Sequence, residues 1–267
     1  MNFRKKKIGI VISCRLKSSR LPNKAILKIG KITSIERCIN QVKKSNIKNI
    51  VLATSLSDRS SILKKIAKKK YIGFFQGSDN NLILRNLEVA DKMNYNHIVR
   101  VTGDSPLVSY KLINDMAMYH LKENSDFTYN DNLPLGVRCE IINVKALRNL
   151  YEKTFTNRYG EYLSLFFKNN PNYFNIKKFN LLFSKKFKNI RLNLDYKSDL
   201  IFLRKLLFFY NNKKIISLEE IYEFLEIYHK QNVFIKSKYN KHGIKIYSSI
   251  SKYNGTFFLY ELSKLFC

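Results

Sequence analysis

The 267 residues predict an α/β fold: a mostly parallel sheet with helices on both faces, followed by a small helical appendage. Three observations lead there. Apolar runs of strand length alternate with stretches whose apolar residues recur at helical spacing. The resulting β-α-β-α order calls for parallel strands joined by crossover helices. Polar loops follow several of the runs directly, where open α/β sheets bind their ligands. On this reading residues 1–215 form the α/β domain and 216–267 a mainly helical appendage.

The elements follow in order. IGIVIS (8–13) reads as a buried strand. SIERCINQVKKS (34–45) carries Ile35, Cys38, Ile39 and Val42 at helical spacing. NIVLATS (49–55) is the second strand, SSILKKIAKKK (60–70) a helix, and YIGFFQG (71–77) a short strand. Ser78 is the expected N-cap of the helix that runs to about residue 94. HIVRVTGD (97–104) is a strand ending in a turn, and Pro106 opens the next helix, since proline fits a first helical position. DFTYN (126–130), VRCEIINV (137–144) and IRLNLD (190–195) read as strands. KALRNLYEK, RYGEYLSLFFKN and SDLIFLRKLLFFYN read as helices. ISLEEIYEFLEIYHK (216–230) carries the capping-box pair Ser217 and Glu220. Residues 231–267 are mixed and rich in Tyr and Lys.

Composition narrows the classes. The net charge is +29, from 49 Lys+Arg against 20 Asp+Glu. Such an excess suits nucleic acid, a membrane surface or a phosphorylated small molecule. Lysine is also spread through the chain with Asn and Ile, the mark of compositional bias. Cys14, Cys38, Cys139 and Cys267 form no CxxC pair and no cluster with His, which argues against zinc and against a disulfide framework. The basic start MNFRKKK is followed by a run too short for a signal-peptide core. LIFLRKLLFFY is broken by Arg204 and Lys205, far from the ~20 apolar residues of a membrane span. The cytoplasm is the expected compartment, with no membrane partner and no nucleic acid. The four histidines are scattered and read as structural.

Three polar loops carry candidate chemistry. SCRLKSSRLPNK (13–24) holds Arg15, Arg20 and Lys24 without an acid; TGDSP (102–106) holds Asp104; LDYKSD (194–199) holds Asp195. If their strands are parallel neighbours, the loops can meet. Cations would hold phosphates, and two aspartates would hold Mg²⁺. The bland readings stay beside these: the cations as solvated loop residues, and each aspartate as the cap of the helix that follows it. Walker A and GxGxxG patterns are absent.

RLKSSRLPNKAIL resembles the R-x-x-S-x-R-L-P-x-K-x-L signature of the cytidylyltransferases that make CMP-activated sugar acids, in particular the branch named for spore-coat polysaccharide biosynthesis. IVRVTGDSPLV, FFQGSDNNLILRN, PLGVRCEIINVKAL and RLNLDYKSDL resemble further blocks of that family, in order, from about residue 7 to 230. The resemblance implies a nucleotide-diphospho-sugar transferase-like fold, CTP and an anionic sugar-type acceptor as partners, Mg²⁺ as cofactor, and a homodimer. It places Ser13, Cys14, Arg15, Arg20, Lys24, Gly77, Ser78 and Gly103 at the nucleotide. Arg20, Lys24 and Asp104 become catalytic, and Asp104 with Asp195 the metal pair. Arg138, Glu140 and Glu161 fall on the acceptor side. Arg138 and Tyr162 stand where the branch usually has aspartate and histidine, which leaves the acceptor's identity open. A metal-dependent glycosyltransferase of related fold and a basic RNA-binding protein are the competing readings.

Overall fold

The computed structural model describes residues 3, 6–58, 61–153, 163–181, 185–230, 234–239 and 245–250. The chain divides into one unit spanning Met1–Leu218 and another spanning Glu219–Cys267. The strands are β1 (Ile8–Ser13), β2 (Lys28–Ile29), β3 (Ile32–Thr33), β4 (Ile50–Ser55), β5 (Gly73–Gly77), β6 (His97–Thr102), β7 (Phe127–Tyr129), β8 (Glu140–Asn143), β9 (Ile176–Lys178), β10 (Phe234–Tyr239) and β11 (Lys245–Ile250). The helices are α1 (Ser34–Lys43), α2 (Ser61–Lys69), α3 (Leu82–Met93), α4 (Tyr110–Lys122), α5 (Val144–Lys153), α6 (Leu163–Lys168), α7 (Lys197–Phe209) and α8 (Leu218–Lys230).

Seven strands form one sheet in the order β5-β4-β1-β6-β8-β7-β9. β8 runs antiparallel to both its neighbours, and every other pairing is parallel. This is the mostly parallel α/β sheet that the sequence predicts. The central strands are mostly apolar because helices cover both faces, with Arg100 on β6 the charged exception. On one face Val11, Ala53, Ile98 and Phe127 pack with Leu87 of α3, Leu147 of α5 and Phe167 of α6. Side chains alternate along a strand, so Ile10 and Ile12, both fully buried, serve the opposite face. There the Cys38 thiol of α1 reaches the carbonyl of Thr102, and Met116 of α4 meets Cys139.

Several boundaries differ from the sequence reading. Asn81, not Ser78, caps α3: its side chain accepts from the Leu84 amide at 3.0 Å. The backbone of Ser78 is held at the strand exit instead, by Glu88 on its amide and Arg85 on its carbonyl. Pro106 does not open α4. It lies in a turn closed by the Val108 amide on the Ser105 carbonyl, and Ser109 caps the helix. The strand expected over 137–144 is confined to Glu140–Asn143. Residues 190–195 form no ladder strand: they pair only through the bridge Leu135–Arg191. The helix expected over RYGEYLSLFFKN is seen at Leu163–Lys168, and 154–162 lie outside the described residues. The second unit holds α8 from Glu219 onward and an antiparallel ribbon, β10 with β11, within the segment expected to be mainly helical.

Candidate active site

β1 and β6 are parallel neighbours in register, with Ser13 opposite Thr102. Their carboxyl ends therefore release two polar loops side by side. The Gly103 amide donates to the Ser13 carbonyl at 2.8 Å. A Cβ on Gly103 would lie 2.7 Å from the Cβ of Cys14, so only glycine allows the loops this close. The third polar segment is tied in from both sides. The Leu194 amide donates to the Asp104 carbonyl at 2.8 Å, and the Leu192 amide to the Leu135 carbonyl at 2.7 Å. Gly136, at φ +103, makes that crossing possible: a side chain there would strike the backbone of Leu192 and Asn193.

These ties bring one ammonium between two carboxylates. The Lys24 Nζ stands 2.6 Å from Asp104 Oδ2 and 2.7 Å from Asp195 Oδ1. Lys24 lies on a short 3₁₀ turn, Lys24–Ile26, entered through Asn23 in the left-handed region. Arg20 Nη2 donates to Asp195 Oδ1 at 2.9 Å, and Asn193 Nδ2 donates to Oδ2 at 2.8 Å. Arg20 and Arg191 also flank the ring of Tyr196, with guanidinium carbons 5.7 and 5.0 Å from its centre. Burial alone would depress Lys24, but Asp104 and Asp195 outweigh it and its pKa is raised. Burial alone would raise Asp195, but Lys24, Arg20 and Arg191 outweigh it and its pKa is lowered. Both shifts favour the charged forms of Lys24 and Asp195.

The first two loops border a cleft of 510 Å³, and Asp195 of the third reaches it only through its ion pairs with Lys24 and Arg20. Ser13, Arg15, Arg20, Lys24 and Asp104 line it, and so does the buried Cys14. Burial pushes the Cys14 thiol up to about 12, with Asp104 and Asp58 adding to the shift. It is a protonated wall residue and no nucleophile. The cation loop is held in place by Asp58, whose Oδ2 accepts from the Leu16 amide at 2.6 Å and from the Thr54 hydroxyl at 2.9 Å. Among the described residues no three His, Cys, Asp or Glu side chains gather as a metal cage. The protein offers two carboxylates, and a bound phosphate chain would have to complete any cation's shell.

Not all sequence candidates reach the cleft. Gly103 does, whereas Gly77 and Ser78 stop short of it; Asp79 and Asn80, just beyond them, form its wall. Arg138 uses its guanidinium on the backbone, donating to the carbonyls of Leu133 at 2.6 Å and Lys188 at 3.2 Å. Glu140 does not line the cleft; it is paired with Arg100 across the β6–β8 register and accepts from the Ser164 hydroxyl. Glu161 and Tyr162 lie outside the described residues. Arg85, Arg100, Arg191 and Asn193 were not singled out from the sequence. The alternation R-x-N-x-D at 191–195 is the signal that three polar side chains share one face there.

The likenesses to known proteins agree with this layout. The spore coat polysaccharide biosynthesis protein SpsF of Bacillus subtilis is 28% identical over 198 residues, 72% of this chain and 82% of that protein. The 3-deoxy-manno-octulosonate cytidylyltransferase of Rickettsia typhi is 32% identical over 146 residues, 54% of this chain and 58% of that protein. The structure of a cytidylyltransferase from Leptospira borgpetersenii superimposes with a TM-score of 0.77 at 27% identity, covering 84% of this chain and 94% of that one. Among the described residues no helix is long and apolar enough to cross a membrane. Residues 9–239 match the cytidylyltransferase family. The chain belongs to that family and is a CTP-dependent nucleotidyltransferase.

Proposed function

We propose that the enzyme transfers CMP from CTP to the hydroxyl of a sugar acid, releasing pyrophosphate, in the cytoplasmic assembly of a surface polysaccharide. The observation that carries the proposal is the meeting of Lys24, Asp104 and Asp195, from three loops far apart in sequence, at a cation-lined cleft whose wall includes Lys24 and Asp104. The names of the relatives support the acceptor class: one acts on 3-deoxy-manno-octulosonate, and another belongs to spore coat polysaccharide synthesis.

In this reading Arg15, Arg20 and Lys24 receive the triphosphate, a chain of about four negative charges that a nearby unpaired carboxylate would repel. Asp104 and Asp195 fit a divalent cation such as Mg²⁺, which typically takes one or two carboxylates and fills its shell with phosphate oxygens and water. When bound, that cation neutralises phosphate charge and makes the α-phosphorus easier to attack. Lys24 now occupies the place between the carboxylates, as a charge of the sign the pair is built to hold. Freed from them, it serves the departing pyrophosphate together with Arg20. The acceptor oxygen bonds to the α-phosphorus, the bond to the β-phosphate oxygen breaks, and the hydroxyl proton leaves to solvent or base. Positioning supplies much of the rate in such transfers.

The test is a melting-temperature panel of the four nucleoside triphosphates with Mg²⁺, followed by pyrophosphate detection across 2-keto sugar acids. CTP is expected to stabilise most, and pyrophosphate to appear only when CTP and an acid are both present. Release of a nucleoside diphosphate would assign glycosyl transfer instead, and absence of any CTP effect would remove the proposal.

A further inference from the structure

The geometry points to Arg100 as the residue that selects the anionic group of the acceptor, with Glu140 acting through Arg100. This inference rests on the reading of the chain as a CMP transferase for an acidic acceptor. Arg100 lies on β6, two residues before Thr102 on the same strand face, and both line the cleft. Two residues of strand place it about 6.8 Å below the rim. Glu140 and Ser164 do not line the cleft; Glu140 is the neighbour of Arg100 across the β6–β8 ladder, and Ser164 lies on α6. Arg100 Nη1 donates to Glu140 Oε2 at 2.5 Å, and the Ser164 hydroxyl donates to Oε1 at 2.5 Å. The guanidinium is thus fixed from the β8 side, with its side chain 13% exposed.

The sheet order says which end of the substrate Arg100 meets. β1, which carries the phosphate-loop cations, flanks β6 on one side, and β4 and β5 lie beyond it. Asp79, Asn80 and Arg85 come from the β5–α3 side of the cleft. Arg100 leans the other way, toward Glu140 on β8. A nucleotide stretched from β1 toward β5 leaves the β8 flank to the acceptor. A fixed guanidinium there matches a carboxylate near the attacking hydroxyl, which arginine binds with directed, charge-assisted hydrogen bonds. In this arrangement Glu140 is a positioning residue and does not itself hold the sugar.

The experiment compares a 2-keto sugar acid, starting with 3-deoxy-manno-octulosonate, with its neutral carboxamide. Pyrophosphate release gives KM and kcat, and calorimetry gives CTP affinity on the same Mg²⁺-loaded proteins. Wild type should favour the acid; in Arg100→Met the acid's KM should rise about 100-fold, as for loss of a charge-assisted bond, and the acid/amide preference should collapse. Arg100→Lys should recover little, because an ammonium lacks the planar fork. Glu140→Gln should raise the acid's KM about 3–10-fold, as for a weakened positioning bond, and should add almost nothing to Arg100→Met. CTP affinity should stay within about threefold in all three variants, as for a group that makes no nucleotide contact. The double variant Arg100→Met/Glu140→Gln removes both charges and covers the case in which a lone Glu140 unfolds the protein. If CTP binds while Arg100→Met keeps the acid preference, the inference falls. It falls equally if CTP binds and no acid of the panel is turned over. Failure of wild type to bind CTP would instead remove the proposed function.

Discussion

Two cavities open at opposite ends of β6, one nearly balanced in charge and the other rich in cations. The one at the amino end is larger, 640 Å³ against 510 Å³ at the carboxyl end. Its charges cancel locally: Asp91 pairs with Arg148 across its wall, beside Lys145 and His97. The carboxyl-end cleft carries six cations, Arg15, Lys17, Arg20, Lys24, Arg85 and Arg100, against Asp79 and Asp104. Volume does not identify the site. Unbalanced charge aimed into one void does, because it raises the local concentration of an oppositely charged ligand. Topology explains the difference. At the amino end short turns satisfy their own backbone, as where the Asn96 amide bonds Lys7 and the Val144 amide bonds Asn96. At the carboxyl end the loops are longer and leave their side chains over the cleft.

The strongest way to break this contrast is to remove the carboxyl-end acid. Asp104→Ala should lower kcat by about 10³-fold or more, the scale on which an electrostatic group at a reacting phosphoryl acts. The far-ultraviolet spectrum should be unchanged, since Asp104 makes its structural bond through its backbone carbonyl to Leu194. Near-wild-type pyrophosphate release would mean that the cleft's charge serves something other than this reaction.

Next in size is Lys24→Met. It leaves Asp104 and Asp195 facing one another without the ammonium they share. Removing one partner of a buried pair costs about 3–5 kcal/mol, and about 3 is expected here because the Asp104 and Asp195 side chains remain 21% and 10% exposed. Mg²⁺ should restore much of that loss by taking the vacated place. A variant whose unfolding midpoint ignores Mg²⁺ would show that the two aspartates are no cation site.

The sheet was legible in the sequence because β1, β4 and β6 are short, mostly apolar runs bounded by polar loops, with Arg100 the one charged interruption. The meeting of the three loops was legible too, as a consequence of where those strands end. The bonds between them were not. RLNLD at 191–195 has a strand's alternation, and Leu192 and Leu194 are indeed fully buried. It is nevertheless no ladder strand, because its amides are spent on Leu135 and Asp104, partners far away in the chain. The Arg100–Glu140 pair depends on the β6–β8 register, and an antiparallel strand inside a parallel sheet has no local signature. The four scattered histidines read as structural, yet His97 Nδ1 and His120 Nε2 lie 3.1 Å apart. Only the fold brings residues 23 positions apart into a shared hydrogen bond.

That pair distinguishes the two ends of β6 by pH. Burial, with His97 beside it, depresses His120 to about 3, and burial with Lys6 lowers His97. A lowered folded-state pKa stabilises above the unfolded value near 6.5, and the contribution is lost as pH falls below it. His120 should cost up to about 1.4 kcal/mol of stability per pH unit between pH 6.5 and 4.5. Lys24 is shifted upward and Asp195 downward, so those two groups add little slope in that window. Urea unfolding of His120→Gln across the window should show a flatter pH dependence than wild type. The difference between the two proteins separates the histidine from Asp199, which burial raises. An unchanged slope would place the acid sensitivity elsewhere.

The smallest effect is expected at the amino-end cavity itself, and it tests the contrast from the other side. Arg148 and Asp91 form an ion pair whose side chains are 46% and 54% exposed. Water screens the attraction, and ordering two exposed side chains opposes it. Such pairs contribute about 0.2–1 kcal/mol, and high salt reduces even that. Arg148→Ala should therefore change the unfolding free energy by less than about 0.5 kcal/mol and leave kcat and both KM values unchanged. The variant also strips one cation from the wall of the larger cavity and frees Asp91, making that cavity more acidic. If volume governed binding, nucleotide or acceptor kinetics would respond to this loss of positive charge. A tenfold fall in turnover would show that both ends of β6 take part in the reaction; silence there, beside the loss in Asp104→Ala, would leave the carboxyl-end cleft as the working end of the strand.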